Sequence, residues 1–294
     1  MSKERATWHS DRIGREITLC RWGEVGTPLL IFPTAAGDAE EGERFHLIDA
    51  ISEHLTNQRV KAYAVDSVAG QEWLKNDNSF QNAGRMQHAF DAVLAEEIVP
   101  AIHRDCGFEP FAEGAPRILL AGASIGAFNA LATILRHPDL FSTAICMSGT
   151  YDIGKWLKGQ PDESYLSASP LHFLPNIPEG EHLEKCRNTF VLLTHGTGRW
   201  EDPQESWKVA NALGARQIPN RVDEWGDEWD HDWITWRDML PKYLDELLPP
   251  AEADAKPEEP ETSPQPEVAA EAKPAPEVKR PAKPKGRGKS KRNA

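Results

Sequence analysis

No run of apolar residues in this chain approaches the ~18 needed to cross a bilayer, so no membrane-spanning helix is expected. The opening stretch MSKERATWHSDR is charged and lacks the apolar core of a leader, which argues against secretion. Cysteine is scarce. Cys20, Cys106, Cys146 and Cys186 lie far apart and form no C-x-x-C pair. That spacing speaks against a disulfide frame or a thiolate metal site, and buried free thiols are expected instead. A cytoplasmic protein with no metal follows. No self-similarity at ~20–50 residues is visible either, which removes solenoids and propellers.

Aromatic residues are missing altogether from 251–294, a stretch with eight prolines. Such a segment cannot bury enough apolar surface to fold, so it is expected to be a disordered tail, with the domain boundary near Pro250. The net charge of −13 conceals two unlike parts: the tail's ten Lys/Arg against eight Asp/Glu give +2, leaving −15 on residues 1–250. Residues 279–294, KRPAKPKGRGKSKRNA, hold eight Lys/Arg and no acid. Charge alone would let this end touch RNA, DNA or an anionic surface weakly; a solubilising tail is the plainer account. The acidic body argues against nucleic acid as its main ligand, because phosphate binding rests on Lys and Arg.

What the body does have is alternation. EITLCRW, PLLIFPT, VKAYAVDS, RILLAGAS, FSTAICMSG, TFVLLTH and NRVDEW read as strands. Between them RFHLIDAISEHL places Phe45, Leu47, Ile48, Ile51 and Leu55 at helical spacing. A long helix is expected over 83–107, bent or interrupted at Pro100, with further helices over 125–138, 203–216 and 233–248. Residues 153–188 are punctuated by Pro and Gly and read as an insertion. Strands alternating with helices imply an α/β fold: right-handed crossovers and a mostly parallel central sheet with helices on both faces. Ligands of such sheets sit beyond the carboxyl ends of the strands, so motifs placed there count for more.

One such motif is Gly122-Ala123-Ser124-Ile125-Gly126, a G-x-S-x-G run between a strand and a helix. That setting is the nucleophile elbow, where small neighbours leave room for a serine on a strained turn. A tight packing turn would need the same small residues. A serine hydroxyl attacks only when a base takes its proton and a carboxylate orients that base. With the order Ser, acid, His, the acid should follow the next-to-last strand and the histidine the last. GTGRWEDP after TFVLLTH offers Glu201 and Asp202, and GDEWDHDW after NRVDEW offers His231. Glu201 is preferred, although spacing does not separate adjacent carboxylates and either is placed to cap the helix beginning at Pro203. His137 and His172 follow no late strand; His195 ends one, where it could line the pocket or compete as base.

Two backbone N–H groups are expected to hold the oxyanion: that of Ile125, after the serine, and one from FPTAAGD after an early strand, Ala35 first and Thr34 next. Trp200 and residues 153–188 are expected to wall the pocket. The acidic run from Asp223 to Asp232 lacks calcium-loop spacing and is interleaved with Trp225 and Trp229, so a solvated loop over Trp anchors is preferred to a cation site.

FPTAAG, GASIGAFNA, GTGRWEDP and WGDEWDHDWITWRDMLPKYL resemble the putative-esterase branch of the α/β-hydrolases, related to esterase D and the mycolyltransferase antigens, and in particular a cytosolic bacterial subgroup. The resemblance covers roughly residues 15–248. It implies an α/β-hydrolase fold without a cofactor, cleaving carboxylic esters of small molecules through an acyl-enzyme on Ser124. By the same resemblance His231 is the base and Glu201 or Asp202 the acid. FPTAAG lacks the histidine that often stands in that loop. An acyltransferase using the same residues is an alternative, as is a non-catalytic binding protein tethered by its tail.

Overall fold

The computed structural model describes residues 2–74 and 79–248. The boundary near Pro250, the tail 251–294 and its basic end 279–294 lie outside the described residues. Eight strands form one sheet: β1 (Lys3–Ser10), β2 (Arg15–Trp22), β3 (Thr27–Phe32), β4 (Val60–Val65), β5 (Ile118–Ala123), β6 (Phe141–Met147), β7 (Phe190–His195) and β8 (Asn220–Glu224). Their order is β1-β2-β4-β3-β5-β6-β7-β8. β1 and β2 run antiparallel to their neighbours, and every pair from β4 across to β8 is parallel.

Helices cover both faces, which is why the central strands are continuous apolar runs rather than alternating ones. Along β3, Leu30 and Phe32 enter a layer with Phe90, Ile102, Phe128 and Val209. Leu29 and Ile31 enter the opposite layer with Leu47, Ile51, Leu240 and Tyr243. The first layer is supplied by α1 (Phe80–Val93), α2 (Val99–Asp105), α3 (Ile125–Arg136) and α4 (Pro203–Ala215); α5 (Trp233–Leu247) serves the second.

Three elements differ from expectation. The helix expected over 44–55 is broken into Glu41–Arg44, Leu47–Ala50 and Ser52–Thr56, because His46 takes φ +62. Leu47, Ile48, Ile51 and Leu55 still point inward, while Phe45 stays exposed and stacks on Trp233 with centroids 4.7 Å apart. Between α1 and α2, Leu94–Ile98 winds as a π-helix. Pro100 has no N–H to donate and its ring crowds the carbonyl four residues back, so the ladder widens just before it. β1 was not anticipated: KERATWHS is mostly exposed and carries no apolar alternation to reveal it.

Residues 153–188 carry short helices over Glu163–Ala168, Pro170–Phe173 and Glu181–Arg187 that bury Tyr165, Leu183 and Cys186. Gly84 admits this segment against α1, since a Cβ there would lie 2.4 Å from the backbone of Ser164. All four cysteines are free, Cys106 half-buried and the others buried. No helix of the described residues is long and apolar enough to cross a membrane.

The parallel registers set the functional edge. Phe32 pairs with Gly122, Ala123 with Met147, Met147 with Thr194, and His195 with Glu224. The loops after β3, β5, β6, β7 and β8 therefore leave the sheet along a single side.

Candidate active site

Ser124 sits between β5 and α3 with φ +56 and ψ −117, a conformation L-residues rarely adopt. What forces it is the close approach of the backbone on both sides. A Cβ on Gly122 would lie 2.3 Å from the backbone of Gly126, and one on Gly126 would lie 2.5 Å from the Phe32 carbonyl oxygen. Two glycines therefore let β3, β5 and α3 converge and leave the serine partly exposed at the turn. Ile125 opens α3, so its N–H has no carbonyl four residues back within the helix, and the positive end of the helix dipole lies beside Ser124.

On the loop after β7, Glu201 and Asp202 separate in role. The Glu201 carboxylate is 1% exposed, and its Oε2 lies 3.6 Å from His231 Nδ1, an ion-pair separation longer than a hydrogen bond. Its Oε1 accepts from the Ser148 hydroxyl at 2.5 Å. Asp202 instead caps α4, accepting from the Gln204 N–H. His231, on the loop after β8, packs its ring edge-on to Trp236, with centroids 5.2 Å apart.

The two loops are bound to each other rather than to the sheet alone. Thr197 and Gly198 N–H donate to the carbonyls of Gly226 and Trp229, and His231 N–H donates to Arg199 O. The Arg199 N–H and side chain grip Asp230, and these contacts hold its carboxyl below the usual carboxylate range. The acid and the imidazole thus ride on one clamped unit. No hydrogen bond joins Ser124 Oγ to His231 among the described residues.

After β3, Thr34 donates both its N–H (2.7 Å) and its hydroxyl (2.8 Å) to the buried Glu41 carboxylate. Burial pushes the Glu41 carboxyl above its ordinary value, and the Thr34 bonds pull the other way. Thr34 N–H is therefore engaged, whereas Ala35 N–H makes no hydrogen bond among the described residues. Gly37 O accepts from Ser67 N–H and from the Gln71 side chain, which braces the loop from behind.

Several other residues singled out by spacing have local partners, although neither ring nitrogen of His195 is hydrogen-bonded. His195 is 1% exposed at the tip of β7 and lies 3.5 Å from Glu224; the carboxylate Glu201 faces His231, not His195. His137 meets Asp91 and His172 meets Ser169. In the acidic run, Asp223 pairs with Arg221, Asp230 with Arg199, and Asp232 caps α5. Beneath it Trp225 packs on Trp229 and donates to Tyr243 OH. Trp200, at φ +69, is 86% exposed next to the buried Glu201.

Two residues went unnoticed by spacing alone. Ser148 directly follows β6 at the same strand edge as the other motifs, and that position is the signal that would have found it. Glu205, buried in the first turn of α4, accepts from the N–H groups of Tyr151 and Asp152 at 2.8 Å each and so ties down the chain leaving β6.

A family model described as "Putative esterase" matches residues 60–247. Among solved structures the chain is similar to a ferulic acid esterase, at 16% identity and TM-score 0.63, over 83% of this chain and 96% of that one. It is likewise similar to the S-formylglutathione hydrolase FrmB of Staphylococcus aureus, at 14% identity and TM-score 0.56, over 83% and 95%. A third is MPT51 of Mycobacterium tuberculosis, at 16% identity and TM-score 0.57, over 84% and 98%. No curated protein matches by sequence.

Proposed function

Because the chain belongs to this esterase family, a carboxylic ester hydrolase on the α/β-hydrolase fold, we propose that it acts through Ser124, His231 and Glu201. His231 takes the proton from Ser124 Oγ as the oxygen attacks the ester carbonyl, and Glu201 holds the Nδ1 side of the ring and balances its developing charge. The N–H groups of Ile125 and Ala35 receive the oxyanion. His231 then returns the proton to the departing alcohol, leaving an acyl-enzyme on Ser124. Water, deprotonated by the same imidazole, releases the acid. Trp200 and residues 153–188 form walls for a small-molecule ester.

The observation that carries this reading is the Glu201 carboxylate, buried with one oxygen on Ser148 and the other facing His231, on the same sheet edge as the elbow serine two strands away. The test is steady-state hydrolysis of p-nitrophenyl acetate. Ser124→Ala and His231→Ala should each lower kcat by about 10⁴-fold or more with the fold intact. A Ser124→Ala variant that retains its rate would rule the reading out.

A further inference from the structure

Ser148 lies one residue past β6, 2% exposed, in a left-handed backbone conformation with φ +46. Its N–H donates to Thr194 O at 2.7 Å, which fixes the turn onto β7. Its hydroxyl stands between two groups of unequal chemistry. The Trp236 indole N–H, 2.9 Å away, can only donate. The hydroxyl oxygen must accept that bond, and its single hydrogen is then directed to Glu201 Oε1, 2.5 Å away, because an ionised carboxylate only accepts. The chain Trp236–Ser148–Glu201 therefore has one sense throughout, and it ends on the oxygen that does not face His231.

We propose that Ser148 is a positioning residue: with Trp236 setting the direction of its hydroxyl, it anchors one Glu201 oxygen and keeps the ionised carboxylate turned so that the other faces His231. This rests on the reading of Glu201 as the orienting acid. The physical demand is clear. A carboxylate that is 1% exposed has no solvent to satisfy the oxygen turned away from the imidazole, and an unpaired buried oxygen would favour rotation of the group toward another donor. A hydroxyl supplies the missing donor without adding a charge that would compete with the imidazole. The left-handed backbone at residue 148 aims that hydroxyl across the strand tips, so the conformational strain has a use.

The test compares Ser148→Ala, Ser148→Gly, Trp236→Phe and the Ser148→Ala/Trp236→Phe double variant with Glu201→Gln, measuring kcat and KM on p-nitrophenyl acetate. Loss of the hydroxyl should lower kcat about ten- to a hundredfold, with KM within about twofold, since it misplaces the acid without touching the ester. Glycine relieves the backbone strain at 148, so equal losses in the Ala and Gly variants attribute the effect to the hydroxyl. Trp236→Phe should lower kcat less. Its effect should be smaller in the Ser148→Ala background than in the parent, since only the edge-on contact with His231 is then left to disturb, a non-additivity that general weakening of the core does not produce. If Glu201→Gln is crippled while Ser148→Ala and Ser148→Gly keep the parent kcat, the positioning role is wrong and the reading of the acid survives. If Ser148→Ala does not fold, Trp236→Phe with an unchanged kcat overturns the inference by itself. Full activity in Glu201→Gln removes the acid assignment and Ser148's role with it.

Discussion

Glu201 and Asp202 are chemically alike and adjacent, yet the backbone divides them. Trp200 at φ +69 turns the chain so that Glu201 faces inward and Asp202 remains at the helix start. Glu201→Gln should lower kcat by about 10⁴-fold, because a neutral amide neither balances an imidazolium nor selects the right tautomer. Asp202→Ala should leave kcat near the parent value and cost about 1 kcal/mol of stability through the lost cap, read by urea unfolding. Spacing could not separate the pair, although one clue was present: proline favours the first helical position, so Pro203 makes Asp202 the cap. That Ser124 would directly follow a strand, and His231 lie on the loop after the last one, was legible from the apolar runs before them. The engagement of Thr34 by Glu41 was not, since it depends on a buried contact rather than on any motif.

Among the elements, the elbow is held by the two glycines whose missing side chains admit backbone. Gly126→Ala should destabilise the fold by ~1–3 kcal/mol and depress kcat, since the new methyl group would collide with the Phe32 carbonyl beneath the serine. Thermal unfolding alongside ester hydrolysis checks both effects. On α4, burial alone would push the Glu205 carboxyl up, but the N–H groups of Asp152 and Tyr151, together with Lys208, outweigh it and hold it below its ordinary value. A depressed native value means that its contribution is present above the unfolded carboxylate range, around pH 4.3, and disappears as pH falls through the native one. Glu205→Gln should therefore weaken folding by ~1–3 kcal/mol near pH 7, with the gap to the parent closing in acid. Urea titrations from about pH 7 to about pH 3 measure it. The inner strands were legible from apolar runs bounded by turns. β1 and the break at His46 were not: the first is a polar edge strand, and the second is a left-handed turn at a residue with no glycine to mark it.

For the molecule as a whole, function needs only that parallel strands end together, so that loops far apart in sequence share one edge. Parallelism followed from the strand–helix alternation, whereas the order β1-β2-β4-β3-β5-β6-β7-β8 and the clamp between the 196–201 and 226–231 loops required coordinates. The most direct measurement is mass mapping of the protein after treatment with a fluorophosphonate. The account predicts one phosphonyl adduct, on the peptide containing Ser124, formed far more slowly in His231→Ala. An adduct on another residue, or undiminished labelling of Ser124→Ala, would contradict it.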